Sequence, residues 1–105
     1  MFQTIRKQIR PNTSVEFYSP EKSPNITKSI LKHQFQNYIL TGKQIDVVKE
    51  ISEDGLTQTI TILWESKQAQ QEFVNDPVMQ TMINDSESYR LANNITLEIV
   101  SGTEI

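Results

Sequence analysis

The feature that most constrains the fold is a pair of alternating segments around Asp54-Gly55, within "IDVVKEISEDGLTQTITILW". Alternation of apolar and polar residues predicts β-strands, and Asp-Gly is preferred in two-residue type I′ hairpin turns. Such a turn places Glu53 opposite Leu56 and thereby fixes every further pair. The predicted pairs are Ile51 with Gln58, Lys49 with Ile60, Val47 with Ile62, and Ile45 with Trp64. The segment therefore predicts an antiparallel hairpin with a well-specified register.

This register sorts the side chains of the hairpin onto two different faces. The first face is strongly apolar and collects Ile45, Val47, Ile51, Ile60, Ile62 and Trp64. The second face carries Val48, Leu63 and three threonines, and Val100 joins it from a later strand. A slip of one residue would move one strand's apolar set to the other face. We expect the first face to be covered by helices.

A helix is predicted before the hairpin, in "SPNITKSILKHQFQNYILTGK". Ser23 or Asn25 is a candidate N-cap, Pro24 suits the first turn, and Gly42 is a stop signal. On a helical wheel, the apolar face consists of Ile30, Leu31, Phe35, Tyr38 and Ile39. His33 falls on the opposite, polar face. This one-sided pattern is typical of a helix that covers a sheet.

Two helical segments are predicted directly after the hairpin. Ser66 is a candidate cap for a helix that carries Ala69 and Phe73. Asp76 and Pro77 then supply a new cap and a new first-turn residue. A second short apolar stripe follows, made of Val78, Met79, Met82 and Ile83. We expect both segments to pack on the same side of the sheet.

The two ends of the chain give weaker patterns. "NDSESYRLANN" is polar and is predicted as a helical turn or irregular segment anchored by Tyr89 and Leu91. "ITLEIVS" alternates and predicts a last strand. Near the start, "FQTIRKQIR" and "SVEFYS" both resemble strands. We interpret the first nine residues as an edge extension, as part of the same bent strand or as an arm on a partner, which makes residues 1–12 a candidate edge strand or arm.

The resulting order is strand, helix, strand, strand, helix, strand. This order is typical of the α+β ferredoxin-like fold, βαββαβ, with a four-stranded antiparallel sheet and helices on one face. With 105 residues, the chain is predicted to be a single domain, residues 1–105. Because helices cover only one face, a second copy is expected to cover the other in a sheet-to-sheet homodimer.

Composition excludes several classes of function. The chain has no cysteine and one histidine, so neither thiolate chemistry nor an imidazole-based metal site is expected. The net charge is −3 and no basic stripe is visible, which argues against nucleic-acid binding. The N-terminus lacks the apolar core of a signal peptide, and no apolar run approaches the roughly 20 residues of a membrane span. We therefore expect a cytoplasmic protein without a cofactor, a metal, or a membrane partner.

The element order, with a hairpin that ends in "LWESKQAQQEF" and a proline soon after, resembles the dimeric α+β barrel superfamily. Within it, the chain is most similar to the antibiotic-biosynthesis-monooxygenase-like group. The resemblance implies a homodimer and, in the enzymes, a pocket between sheet and helices for cofactor-independent oxygenation or haem degradation. Trp64 matches a residue that lines this pocket. Phe73 stands where a histidine is common, so haem ligation and histidine base chemistry are not expected there.

The candidate pocket residues for a small apolar or aromatic ligand are Trp64, Tyr38, Phe35 and Phe73. Each also has a plain structural interpretation, since large aromatic residues at these positions build a core or its rim. His33 is predicted to be solvated, and no catalytic residue is assigned. Two hypotheses therefore remain open. One is a ligand-binding protein or enzyme of this fold, and the other is a non-catalytic assembly or protein-interaction domain.

Three arginines are a further candidate feature. Arg6, Arg10 and Arg90 each carry a planar fork of donors that binds carboxylates or phosphates in bidentate fashion. They stand apart in the sequence, which favours separate surface salt bridges over one joint site.

Overall fold

The computed structural model describes all 105 residues. Its strands are β1 (Phe2–Ile9), β2 (Gln44–Ile51), β3 (Thr57–Trp64) and β4 (Thr96–Glu104). Its helices are α1 (Lys28–Gln34), which continues as a π-helical segment (Phe35–Ile39), α2 (Lys67–Asn75) and α3 (Pro77–Ala92), and a short 3₁₀ turn spans Pro20–Lys22. The predicted α+β ferredoxin-like fold is confirmed, with the second helix of that fold split in two.

The strand order across the sheet is β2-β3-β1-β4, and every neighbouring pair is antiparallel. β1 lies in the interior, so the prediction of an edge strand or arm for residues 1–12 is wrong. Ser14–Tyr18, predicted as a strand, is not one. Interior strands usually bury apolar side chains, but β1 turns Thr4, Arg6 and Gln8 towards the helices. Because these residues are polar, the sequence pattern did not show that β1 is an interior strand.

The hairpin register is confirmed over most of its length. The observed pairs include Ile51 with Gln58, Lys49 with Ile60, and Val47 with Ile62. Trp64, however, lies opposite Gln44, because the register shifts by one residue between Gln44 and Asp46. Ile45 is the extra residue of this bulge. The predicted pairing of Ile45 with Trp64 is therefore wrong.

The turn also differs from the predicted type. A type I′ turn needs positive φ at both central residues. Gly55 has φ +77°, but Asp54 does not have a positive φ. Instead, Asp54 Oδ1 accepts hydrogen bonds from Ser52 Oγ (2.6 Å) and from the Leu56 N–H (3.0 Å). The loop is thus a longer turn closed by Ser52 and Thr57, whose backbone N–H and C=O are 2.8 Å apart.

Helix α1 begins later than predicted. Its N-cap is Thr27, whose Oγ1 accepts a hydrogen bond from the Ile30 N–H at 3.3 Å. Ser23 and Asn25, the predicted caps, precede the helix and bind Asp85 through their side chains instead.

The π-helical segment changes which side chains of this helix are buried. A π-helical turn has more residues than an α-helical one, so it rotates the face that follows. Tyr38 is 5% exposed, while Phe35 is 50% and Ile39 46% exposed. The wheel prediction placed all three on one buried face and is correct only for Tyr38.

The predicted N-caps of α2 and α3 are confirmed. The side chain of Ser66 accepts a hydrogen bond from the Ala69 N–H, and that of Asp76 accepts one from the Val78 N–H. Helix α3 then continues through the segment that was predicted to be a turn or irregular. Leu91 is 74% exposed and does not anchor it. None of the helices has the length and hydropathy needed to cross a lipid bilayer.

The helices cover one face of the sheet, as predicted. The buried core there includes Phe2, Ile60, Trp64, Ala69, Met79 and Met82. Strand β2 lies at the sheet edge, and its Val47 and Ile51 remain 42% and 56% exposed although they share the face of Ile60. The expectation that the whole apolar face of the hairpin is covered is therefore wrong for β2.

Candidate functional site

Three of the four predicted pocket residues form one aromatic layer between sheet and helices. The rings of Trp64 and Phe73 are 5.3 Å apart, and those of Phe73 and Tyr38 are 4.9 Å apart, both in edge-to-face geometry. Trp64 is 2% exposed, so its predicted burial is confirmed. Phe35 does not belong to this stack, because it is half exposed on the π-helical segment. A ligand-binding role of these four residues remains a prediction.

The indole N–H of Trp64 has its hydrogen-bond partner within the sheet. Its indole Nε1–H donates a hydrogen bond to Thr4 Oγ1 on β1 at 3.0 Å. A buried indole N–H normally needs such a partner. Thr4 therefore fixes the orientation of the Trp64 ring across the strands.

Asp76 collects hydrogen bonds from two helices. Its Oδ2 accepts from Tyr38 Oη and pairs with His33 Nε2, both at 2.7 Å, and its Oδ1 accepts from the Val78 N–H at 2.9 Å. The prediction of a solvated His33 is wrong, since this side chain is 31% exposed and paired with Asp76. His33 and Asp76 are 43 residues apart, so no local pattern could have shown the contact.

These contacts set the pKa values of the cluster. Burial alone would raise the pKa of Asp76, but the hydrogen bonds with His33, Tyr38 and the Val78 N–H outweigh it and lower the pKa to about 2. Burial, together with the bond to Asp76, raises the pKa of the Tyr38 hydroxyl well above its ordinary value. Tyr38 therefore remains a protonated donor, and Asp76 remains an ionised acceptor at neutral pH.

We expect Asp76 to make stability depend on pH in acid. Its folded pKa of about 2 lies below its ordinary value of 3.8. The contribution, about 2 kcal/mol, is therefore fully present above pH 4 and is lost as the pH falls towards 2. Asp76→Asn keeps an N-cap oxygen and removes the charge. Urea unfolding between pH 2 and 6 should show the two proteins converging at low pH, and a constant difference would contradict this role.

A second cluster lies on the helix-facing side of β1 and β3. Gln8 and Gln58 lie directly opposite each other, and Arg6 lies opposite Ile60. The two glutamines are 3% and 8% exposed. Arg6 Nε, Gln8 Oε1 and Gln58 Oε1 are all buried without a hydrogen-bond partner in the protein. Buried polar atoms are nearly always paired, so three unpaired atoms on one patch require an explanation.

Helix α3 adds two polar residues to this patch. Arg90 Nη1 donates a hydrogen bond to the buried Ser86 Oγ at 2.7 Å. Burial, and secondly the charge of Arg90, lowers the pKa of Arg6. We call Arg6, Gln8, Gln58, Ser86 and Arg90 the arginine–glutamine cluster. The predicted surface salt bridges of Arg6 and Arg90 are wrong, because neither residue forms an ion pair.

Sequence reasoning missed the glutamines of this cluster. The hairpin register already placed Gln58 on the face of Ile60, but the partner strand β1 was not recognised as interior. Pairing "FQTIRKQI" with "TQTITILW" would have brought Gln8 and Gln58 together. Arg10 has a different role, since it donates to the carbonyl oxygens of Gly55 and Val15 and thereby holds the segment after β1.

A surface cavity of about 430 Å³ lies between residues 16–25 and helix α3. On its wall, Asp85 accepts hydrogen bonds from Ser23 Oγ (2.6 Å), Tyr18 Oη (2.7 Å) and Asn25 Nδ2 (2.9 Å). The bonds from Ser23 and Tyr18 hold the pKa of Asp85 below its ordinary value. Because its acceptor oxygens already have these partners, Asp85 fastens the segment before α1 to α3.

Comparison with known proteins bears on the fold. Neither a protein-family model nor a curated protein sequence matches this chain. Among solved structures, a Deinococcus radiodurans protein described as a candidate antibiotic biosynthesis monooxygenase is similar with a TM-score of 0.55 and 13% identity, over 100% of this chain and 92% of that one. A Mycobacterium tuberculosis protein is 10% identical over 100% and 98% of the two chains, with a TM-score of 0.48.

A third similar structure is a Streptomyces coelicolor monooxygenase in complex with nanaomycin D. It is 14% identical over 99% of this chain and 90% of that one, with a TM-score of 0.43. The similarity to the Deinococcus radiodurans protein shows that the chain has the fold of the antibiotic biosynthesis monooxygenases, as its element order and motif predicted. At these identities the likeness concerns the fold and not the reaction.

Proposed function

We propose that this protein binds a small aromatic ligand between its sheet and its helices, as a homodimer whose two sheets pack face to face. The observation that carries the ligand proposal is the arginine–glutamine cluster, in which three buried polar atoms have no protein partner. Ligand sites typically combine apolar walls with a few convergent polar groups. Phe73 is the partly exposed ring of the aromatic layer and supplies such a wall, because Trp64 and Tyr38 are closed off at 2% and 5% exposure.

The spacing of the two features fits a single-ring ligand. Thr4, which holds the Trp64 indole, and Arg6 are two residues apart on β1 and point to the same face. Two residues along a strand span about 7 Å. A ligand with one ring can therefore contact the aromatic layer and place a polar substituent at Arg6.

The proposal concerns binding first. His33 contacts Asp76 through Nε2 at 2.7 Å and Asn37 Nδ2 through Nδ1 at 3.4 Å, so both of its ring nitrogens have protein partners. Cofactor-independent monooxygenase-like chemistry would then have to draw on the reactivity of the ligand itself.

Binding can be measured through the single tryptophan of the chain. We expect Trp64 fluorescence to change in a saturable way on titration with 2-phenylethanol or phenylacetate, with one site per chain. Amide chemical shifts in NMR spectra should change on β1 and on α3 between Met82 and Arg90. Absence of binding by both probes up to millimolar concentration would refute the ligand proposal, and so would shifts confined to the uncovered sheet face.

A second candidate function is a non-catalytic assembly domain of the same fold. The observation that favours it is the uncovered sheet face, where Ile9, Val48 and Val100 remain 38–42% exposed. A dimer that binds neither probe would support this candidate over ligand binding.

A further inference from the structure

The surface cavity between residues 16–25 and helix α3 combines two tyrosine rings with one carboxylate. Tyr18 and Tyr89 both line it and are half-buried, with ring centroids 5.7 Å apart and planes inclined by 57°. Asp85 is part of the same wall, with Oδ2 at 2.7 Å from Tyr18 Oη. A volume of about 430 Å³ falls within the range of small-molecule sites, roughly 300–1,000 Å³. We call this space the tyrosine cavity.

Asp85 carries a negative charge that no cation of the protein compensates. The hydrogen bonds from Ser23 and Tyr18 hold the pKa of Asp85 below its ordinary value, so the side chain is ionised at neutral pH. Its three donors are the hydroxyls of Ser23 and Tyr18 and the amide of Asn25, and all three are neutral groups. None of the ion pairs of the protein includes Asp85.

The other charged side chains of the lining do not change this balance. Lys22 is the one cation that lines the tyrosine cavity, and its Nζ lies 4.0 Å from Glu16 Oε2 on the rim. Both of these side chains are 74% exposed. Two carboxylates, those of Glu16 and Asp85, therefore accompany a single ammonium group. A partly enclosed space with an excess of negative charge raises the local concentration of cations.

The hydrogen bonds of Asp85 decide which kind of cation fits. Its Oδ2 accepts two hydrogen bonds and its Oδ1 accepts one, so little acceptor capacity is left for the N–H groups of a primary amine. A metal ion needs several bare oxygen ligands, and the protein brings no three acidic or histidine side chains together to hold one. A quaternary ammonium ion needs neither, because it donates no hydrogen bond and is attracted by charge and by aromatic faces.

We propose that the tyrosine cavity binds a small quaternary ammonium ion, which is held by the charge of Asp85 and by the rings of Tyr18 and Tyr89. This site lies outside the aromatic layer and does not depend on the aromatic ligand proposed above. Asp85 then has two roles, since its hydrogen bonds fasten the segment before α1 and its charge attracts the ligand.

The test compares choline with 3,3-dimethyl-1-butanol, a neutral molecule of the same shape in which carbon replaces the nitrogen. Wild-type protein should bind choline at least about tenfold more tightly, as expected when the charge meets a carboxylate and aromatic rings. Titration followed by NMR should shift the amide signals of residues 18–25 and of Asp85. Equal affinity for the two probes, or no binding of choline up to high millimolar concentration, would overturn the proposal.

Substitutions at Tyr89 test the role of the ring. Tyr89→Leu removes the ring and should weaken choline binding about threefold or more. Tyr89→Phe keeps the ring and loses only the hydroxyl, which donates to the Glu16 carbonyl oxygen at 2.6 Å. This variant should bind choline as the wild type does. An equal loss in both variants would show that the ring does not contact the cation, and would overturn the proposal.

Substitutions on α3 test the role of the charge. Asp85→Asn should abolish the preference for choline over its neutral counterpart. Glu87→Gln is the matched control, because Glu87 is exposed, does not line the cavity, and lies about 200° around the helix from Asp85. It should keep the preference, and the same loss as with Asp85→Asn would indicate a general charge effect and overturn the assignment. If NMR shows that Asp85→Asn releases the segment before α1, the two Tyr89 variants decide the outcome.

Discussion

Replacing Trp64 by alanine is expected to reduce the free energy of unfolding by about 3–5 kcal/mol. Trp64 is 2% exposed, packs edge-to-face on Phe73, and donates its N–H to Thr4. The substitution removes the ring and its contacts and leaves a cavity that the surrounding strands cannot fill. Small domains have a total stability of about 5–15 kcal/mol, so the variant should be marginally folded. Urea unfolding followed by circular dichroism measures this loss.

Two further variants distinguish the loss of ring packing from the loss of the hydrogen bond and from the effect of removing an exposed aromatic residue. Trp64→Phe keeps most of the ring and loses the hydrogen bond to Thr4, so it should cost about 1–2 kcal/mol. Phe35→Ala removes an aromatic residue of the same predicted set that is half exposed, and should cost less than about 1.5 kcal/mol. A loss for Trp64→Ala no larger than that for Phe35→Ala would show that Trp64 lines an open pocket and does not close the core.

The parts of the fold that sequence predicted correctly depend on local information. The hairpin pairs follow from alternation and turn length, and the caps at Ser66 and Asp76 bind donors only two or three residues away. Even there, the predicted type I′ turn was wrong and the bulge at Ile45 was not predicted. Both depend on details, such as the Asp54 side chain bonding to Ser52, that compete with the average preference of a dipeptide.

The parts that sequence did not predict depend on distant contacts. β1 was misjudged because its helix-facing side chains are polar, and their meaning appears only when Gln8 is set beside Gln58. His33 was judged from its own helix, whereas its partner Asp76 caps another. The π-helical segment turns Tyr38 into the aromatic layer and leaves its first residue, Phe35, half exposed, and a wheel drawn at a constant angle does not contain that change. For the same reason, local sequence patterns do not predict a ligand site that is formed between strands and helices.

We expect the wild-type protein to sediment as a dimer at micromolar concentration, and Leu63→Lys to sediment as a monomer. Leu63 lies on the face of the sheet opposite the helices, between Gln3 on β1 and Asp46 on β2. The same face carries five apolar side chains across all four strands, Ile5, Ile9, Val48, Leu63 and Val100, threonines at 57, 59 and 61, and the charged residues Lys7, Asp46, Glu50 and Glu98.

Packing of this face on its copy is the assembly that its five apolar side chains favour. Apolar and β-branched side chains on a flat, contiguous face pack well against a second sheet about 10 Å away. A two-fold dimer places the same face on both sides of the interface, and a stable interface of this kind buries on the order of 2,000 Å² or more. A lysine at position 63 would bury an unpaired charge in that interface, at a cost of several kcal/mol.

The control is Leu91→Lys, because Leu91 is 74% exposed on α3 and lies away from the sheet face. Sedimentation equilibrium should give a dimer for this variant and a monomer for Leu63→Lys. Circular dichroism must show that both variants keep their secondary structure, so that loss of the dimer is not loss of the fold. A monomeric wild type, or a Leu63→Lys protein that dimerises as tightly as the control, would show that the uncovered face has another role.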